Sequence, residues 1–124
     1  MVGDDSKKIL IIDDDNRNTF ALNAVLNAKG FRCNTVSSAE EGLKLLSENS
    51  EFGVVLLDMM MPEMDGYEAI QAIRLQHQKN IPIISVTAHA MQGDEEKCLE
   101  AGANAYIPKP VDADKLLSLL NRYL

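Results

Sequence analysis

The run Val54-Val55-Leu56-Leu57 ends on a lone carboxylate, Asp58, and passes at once into a loop containing Pro62 and Gly66. An uninterrupted apolar run rich in Val and Leu suits a strand buried on both faces, and such strands lie in the middle of parallel sheets. A chain carrying one must also supply helices to cover both sides of the sheet. Asp58 then stands at the carboxyl end of its strand, and the crevice outside those ends is where open α/β sheets bind their ligands.

The same pattern recurs along the chain. Lys8-Ile9-Leu10-Ile11-Ile12 is a second apolar run, delivering Asp13, Asp14 and Asp15 to its end, and Ile81 to Thr87 is a third, closing on a hydroxyl with Pro82 tolerated at its start. Between the first two, Phe20, Leu22, Val25 and Leu26 recur at helical spacing until Gly30 stops the helix. Residues 31–36 alternate as an edge strand does, and Ser38 with Glu41 three residues on predicts the cap of a second helix carrying Leu43, Leu45 and Leu46. Ala69, Ile70 and Ile73 mark a third helix from Gly66 to about Gln76. A short charged helix over 94–101, with Cys98 and Leu99 as its apolar contacts, ends at Gly102. Ala103 to Ile107 reads as the fifth strand, followed by Pro108-Lys109-Pro110, and Asp112 caps a last helix with Leu116, Leu117, Leu119 and Leu120. Strands alternating with helices predict an α/β fold, a doubly wound five-stranded parallel sheet with helices on both faces.

At 124 residues the chain suits one domain, expected over 8–124 behind a flexible polar segment 1–7. That segment lacks the apolar core of a secretory signal, and no apolar run approaches membrane length, so a cytoplasmic protein without membrane contact is expected. The net charge of −7 argues against nucleic acid as a ligand of this domain, since phosphate contacts need clustered Lys and Arg. Cys33 and Cys98 each sit in an apolar pattern and read as reduced, buried thiols. His77 and His89 have no metal-ligand spacing and read as surface residues.

Four strand ends thus bring Asp13 and Asp14, Asp58, Thr87 and Lys109 to one rim. Carboxylates within about 6 Å of one another repel unless a divalent cation sits among them. Magnesium fits such a set, being hard, oxygen-seeking and content with few carboxylates plus a substrate phosphate; manganese is the alternative ion. Asp58 is then a nucleophile for a phosphoryl group, with Lys109 and the Thr87 hydroxyl placed to neutralise its oxygens. Asp15 reads as a helix cap only.

The motifs IIDDD, LLDMMMPEMDG, VTAHA and YIPKP, in this order and spacing over Lys8 to Leu124, resemble the receiver domains of two-component response regulators, and the more local TAHAM segment with Gly93-Asp94, Cys98 and Ala101-Gly102 is most similar to those of hybrid histidine kinases and phosphorelays. The resemblance implies a flavodoxin-like strand order 2-1-3-4-5. It makes Asp58 the phosphoacceptor, Asp13, Asp14 and Asp58 with the Met60 backbone carbonyl the metal site, and Asp58, Lys109 and Thr87 the catalytic set. Thr87 and Tyr106 become the switch pair, and the Lys109–Pro110 bond a typically cis peptide. It implies a histidine kinase or histidine phosphotransfer domain as donor, a downstream protein or effector domain as recipient, and a monomer or phosphorylation-dependent dimer. The domain would then not turn over substrate as ordinary enzymes do, but catalyse its own phosphorylation and dephosphorylation. His89, two residues past Thr87, and Met60 flank Asp58 and predict slow hydrolysis of the aspartyl phosphate. Two other functions compete. A dehalogenase-type phosphatase needs a second Asp two residues after the nucleophile, where Met60 stands, and a phosphorylation-independent pseudo-receiver usually lacks part of the acidic set or the lysine, all present here.

Overall fold

The computed structural model describes residues 8–48, 52–59, 66–76, 81–87, 94–109 and 111–123. In chain order they form β1 (Lys8–Ile12), α1 (Asn16–Ala28), β2 (Cys33–Val36), α2 (Ala39–Glu48), β3 (Phe52–Asp58), α3 (Gly66–Gln76), β4 (Ile83–Thr87), α4 (Asp94–Ala101), β5 (Ala105–Pro108) and α5 (Ala113–Tyr123). The strands make one sheet of order β2-β1-β3-β4-β5, and every neighbouring pair is parallel. This is the doubly wound order anticipated from the motifs, with a switch point between β1 and β3.

The uninterrupted apolar runs are explained by two cores. Leu10, Ile12, Val55, Leu57 and Ile83 pack against Leu46 of α2, Ile70 and Ile73 of α3 and Cys98 of α4. The intervening residues Ile9, Ile11, Val54, Leu56, Ile84 and Val86 face the other way, onto Leu22 and Leu26 of α1 and Leu116 and Leu120 of α5. Alternation therefore persists, but both faces are buried. Each such side chain contributes roughly 1.5–3 kcal/mol of burial, which holds the strand tips in fixed register.

Helix ends follow local chemistry. Asp15 Oδ1 accepts the backbone N–H groups of Arg17 (3.0 Å) and Asn18 (3.4 Å) at the start of α1, and Asp112 does the same for Asp114 and Lys115 at α5. Ser38 Oγ accepts the Glu41 N–H at 3.2 Å, while the Glu41 carboxylate accepts the hydroxyls of Ser37 and Ser38. That is the expected cap with its return arm turned to side chains. Gly30 (φ 93°) and Gly102 (φ 122°) end α1 and α4 in the left-handed region. In each case the next residue's N–H reaches back to close the final turn, Phe31 to Leu26 and Ala103 to Cys98.

Several expectations are corrected. Phe20 is 77% exposed and Val25, at 37%, lies at the margin of the buried stripe, because Thr19, Leu22 and Leu26 define that stripe and Phe20 lies two residues, about 200°, from Leu22. Leu99 is 43% exposed, one residue off the Cys98 position that faces the core. Cys33 is half-buried rather than buried, as an edge strand allows, while Cys98 is buried; both are free thiols. Strands β2, β4 and β5 begin two residues later than their apolar patterns, and β5 runs one residue further, through Pro108.

Candidate functional site

In a parallel sheet all carboxyl ends meet at one edge. Asp13 and Asp14 follow β1 directly, Asp58 is the last residue of β3, Thr87 the last of β4, and Lys109 follows β5. Backbone pairing continues past the strands here: the Asp13 N–H donates to the Val36 carbonyl (3.1 Å), Met59 to Val86 (2.9 Å) and Lys109 to Thr87 (2.7 Å). The ladder thus carries the functional residues themselves to the rim.

Of the predicted residues, Asp13, Asp14, Asp58 and Lys109 come together. One oxygen from each of Asp13, Asp14 and Asp58 lies within 4.8 Å of the others. Asp13 and Asp58 are each 3% exposed, whereas Asp14 faces solvent. Lys109 Nζ stands between two of them, 3.5 Å from Asp13 Oδ2 and 3.6 Å from Asp58 Oδ1. One ammonium against three carboxylates leaves excess negative charge in a partly desolvated pocket. Hard oxygen donors at this spacing, with one face open to water, suit a small divalent cation of the magnesium type, so the residues fit the implied metal.

Thr87 is buried at the end of β4. Tyr106 pairs with Ser85, two residues before Thr87, so Tyr106, Ser85 and Thr87 share one face of the sheet, and the half-buried tyrosine packs against the core under α2, α3 and α4. The Asp15 side chain caps α1, as anticipated. Met60, His77, His89 and Pro110, named from the sequence, lie outside the described residues.

One contact was not anticipated. Asn18 Nδ2 donates to Asp13 Oδ2 at 2.6 Å, and Asp13 Oδ1 accepts the Asp15 N–H at 2.8 Å. In the sequence Asn18 is one polar residue among several in a helix's first turn. Its placement five residues after Asp13 was the only available signal.

Fold and rim together define a class: a doubly wound domain whose central aspartate sits beside an acidic, cation-suited pocket and a lysine. The chain belongs to the response regulator receiver domain family, whose model matches residues 9–121. Among curated proteins it is 36% identical over 126 aligned positions to the signal transduction histidine-protein kinase BarA of Escherichia coli strain K12, covering 98% of this chain and 14% of that protein. It is 37% identical over 119 positions to the sensor histidine kinase RcsC of Salmonella typhi, covering 96% of this chain and 12% of that one. The chain therefore spans about a seventh of these relatives' length. Among solved structures, the receiver domain of the sensor histidine kinase PA1611 of Pseudomonas aeruginosa PAO1, with a magnesium ion coordinated in its active site cleft, superposes with a TM-score of 0.84 at 34% identity, over 95% of this chain and 97% of that one. The chemotaxis protein CheY4 of Vibrio cholerae gives a TM-score of 0.87 at 28% identity, over 95% and 98% of the two chains. Among the described residues no helix is long and apolar enough to cross a membrane.

Proposed function

We propose that this receiver domain, occupying about 8–124, takes a phosphoryl group onto Asp58 from a phosphohistidine, with magnesium held by Asp13, Asp14, Asp58 and the Met60 carbonyl. The observation that carries the reading is Lys109 Nζ lying within 3.6 Å of both Asp13 and Asp58 beside the three clustered carboxylates. An Asp58 oxygen attacks phosphorus as the phosphorus–nitrogen bond to the donor imidazole breaks, and the imidazole departs with the bonding pair and takes a proton from solvent. Burial at the strand tip aims the attacking oxygen, and Lys109 balances charge on the transferred group's oxygens. Bound magnesium would supply further charge neutralisation there. The Thr87 hydroxyl then donates to the phosphoryl group, and Tyr106 follows into the space it leaves, changing the surface of α4, β5 and α5 that a downstream partner reads.

The donor is a histidine kinase or a histidine phosphotransfer domain, a reading supported by the sensor kinases among the relatives. Incubation with magnesium and acetyl phosphate, read by intact mass, is expected to add one phosphoryl group to the protein and none to Asp58→Asn. No gain in mass would favour a phosphorylation-independent interaction module. Rapid turnover of varied phosphomonoesters would favour a phosphatase.

A further inference from the structure

Asp13 is held on both oxygens by neutral donors from its own loop and helix: the Asp15 N–H at 2.8 Å on Oδ1 and the Asn18 side-chain amide at 2.6 Å on Oδ2. A carboxylate fixed on both oxygens cannot rotate about its last bond. Asn18 is half-buried in the first turn of α1, and its backbone N–H is already committed to the Asp15 cap at 3.4 Å. The helix start therefore sets where its amide points. The oxygen it grips is also the one 3.5 Å from Lys109 Nζ, so an uncharged donor shares an atom that would otherwise depend on the lysine. Being neutral, the amide orients the carboxylate without cancelling the charge a cation requires. A Lys or Arg at this place would do the first and forfeit the second.

We infer that Asn18 is a positioning residue of this site, aiming the Asp13 carboxylate at the divalent cation through the Nδ2–Oδ2 bond. The inference rests on the reading of Asp13 as a cation ligand given above. Partners that orient a metal ligand typically change metal affinity by about 10–100-fold when removed, and Asn18 falls in that role although it touches neither cation nor phosphoryl group.

The test is a calorimetric magnesium titration of the parent protein, Asn18→Ala, Asn18→Leu and Asn18→Gln, with melting temperatures recorded without magnesium. Asn18→Ala and Asn18→Leu are expected to bind magnesium about tenfold more weakly, and Asn18→Gln, which keeps an amide donor, to recover most of the loss. Phosphorylation from acetyl phosphate should show the same split: the half-saturating magnesium concentration rises about tenfold while the rate at saturating magnesium stays within about twofold. Should Asn18→Ala not fold, the bulkier Asn18→Leu carries the comparison. A folded variant lacking the amide that binds magnesium within twofold of the parent overturns the inference, even if its melting temperature falls. A parent protein that binds no magnesium would instead overturn the functional reading itself.

Discussion

The Arg74 guanidinium donates twice to the Gly102 carbonyl, from Nε at 3.1 Å and Nη2 at 2.7 Å. Gly102 is the left-handed residue that ends α4, so an arginine from the last turn of α3 satisfies a carbonyl at the end of another helix. The same side chain reaches the Ile81 carbonyl through Nη1 (2.6 Å) and Asn104 Oδ1 through Nη2 (2.9 Å). Asn104 Oδ1 in turn accepts the Ile83 N–H at 2.9 Å, and the Asn104 carbonyl accepts the Tyr123 hydroxyl at 3.0 Å. The two crossovers through α3 and α4 and the end of α5 are tied together at the end of the sheet opposite the acidic rim. Burial holds the Arg74 pKa below its ordinary value.

Replacing Arg74 by Met is expected to lower stability by about 2–3 kcal/mol, since charged hydrogen bonds are lost and partly buried carbonyls left without their donor. Arg74→Lys should recover little, because a single ammonium cannot reproduce the planar fork. Urea denaturation of the three proteins measures this. A loss below about 0.5 kcal/mol for Arg74→Met would show the cluster to be dispensable.

Ser85 is fully buried, and its Oγ has no hydrogen-bond partner among the described residues. It sits in register with Leu57 and Tyr106 on the face that packs under α2, α3 and α4. Removing an unsatisfied buried hydroxyl relieves a desolvation cost, so Ser85→Ala is expected to be neutral to about 1 kcal/mol stabilising, unlike most core substitutions. Thermal unfolding decides it: destabilisation beyond about 1 kcal/mol would mean that the hydroxyl has a partner.

The fold was readable because its strongest signals are local. Runs such as Val54 to Leu57 admit few environments, and the caps at Asp15, Ser38 and Asp112 and the stops at Gly30 and Gly102 each depend on one or two neighbours. The rim followed, since parallel strands must end together. What escaped depends on direction or on distance along the chain. Phe20 and Leu99 counted as apolar members of their helices, yet one or two residues of rotation turn each outward. Arg74 resembles any charged residue near a helix end until the chain returns 28 residues later to place Gly102 against it.

Cys33 offers a pH-dependent readout of the β2 edge. Burial pushes its thiol up from 9.0 to about 11. A raised acid pKa means the folded state favours the neutral thiol, so this group's contribution is intact below about pH 9 and is lost as pH rises through 9 towards 11. Stability should therefore decline over that window in the parent and less in Cys33→Ala. Iodoacetamide should likewise alkylate Cys33 slowly at pH 8.5, its rate climbing only near pH 11. A midpoint of alkylation near 9 in the folded protein would show that the thiol is hydrated.

The crowding of Asp13, Asp14 and Asp58 makes stability depend on divalent ions. With oxygens within 4.8 Å of one another and one ammonium among them, the folded state carries repulsion that the unfolded chain relaxes. Magnesium binding the folded form alone, at ten times its dissociation constant, should add about 1.4 kcal/mol and raise the melting temperature by roughly 4–6 °C. Asp58→Asn deletes one repelling charge while Lys109 keeps Asp13, so without magnesium it is expected to melt at or above the parent temperature and, with magnesium, to gain less than half the parent's increment. Calorimetric scans of both proteins with and without the ion separate the two effects. An equal magnesium increment in parent and variant would show that Asp58 does not face the ion, and a variant clearly less stable without it would show that the bond to Lys109 outweighs the repulsion.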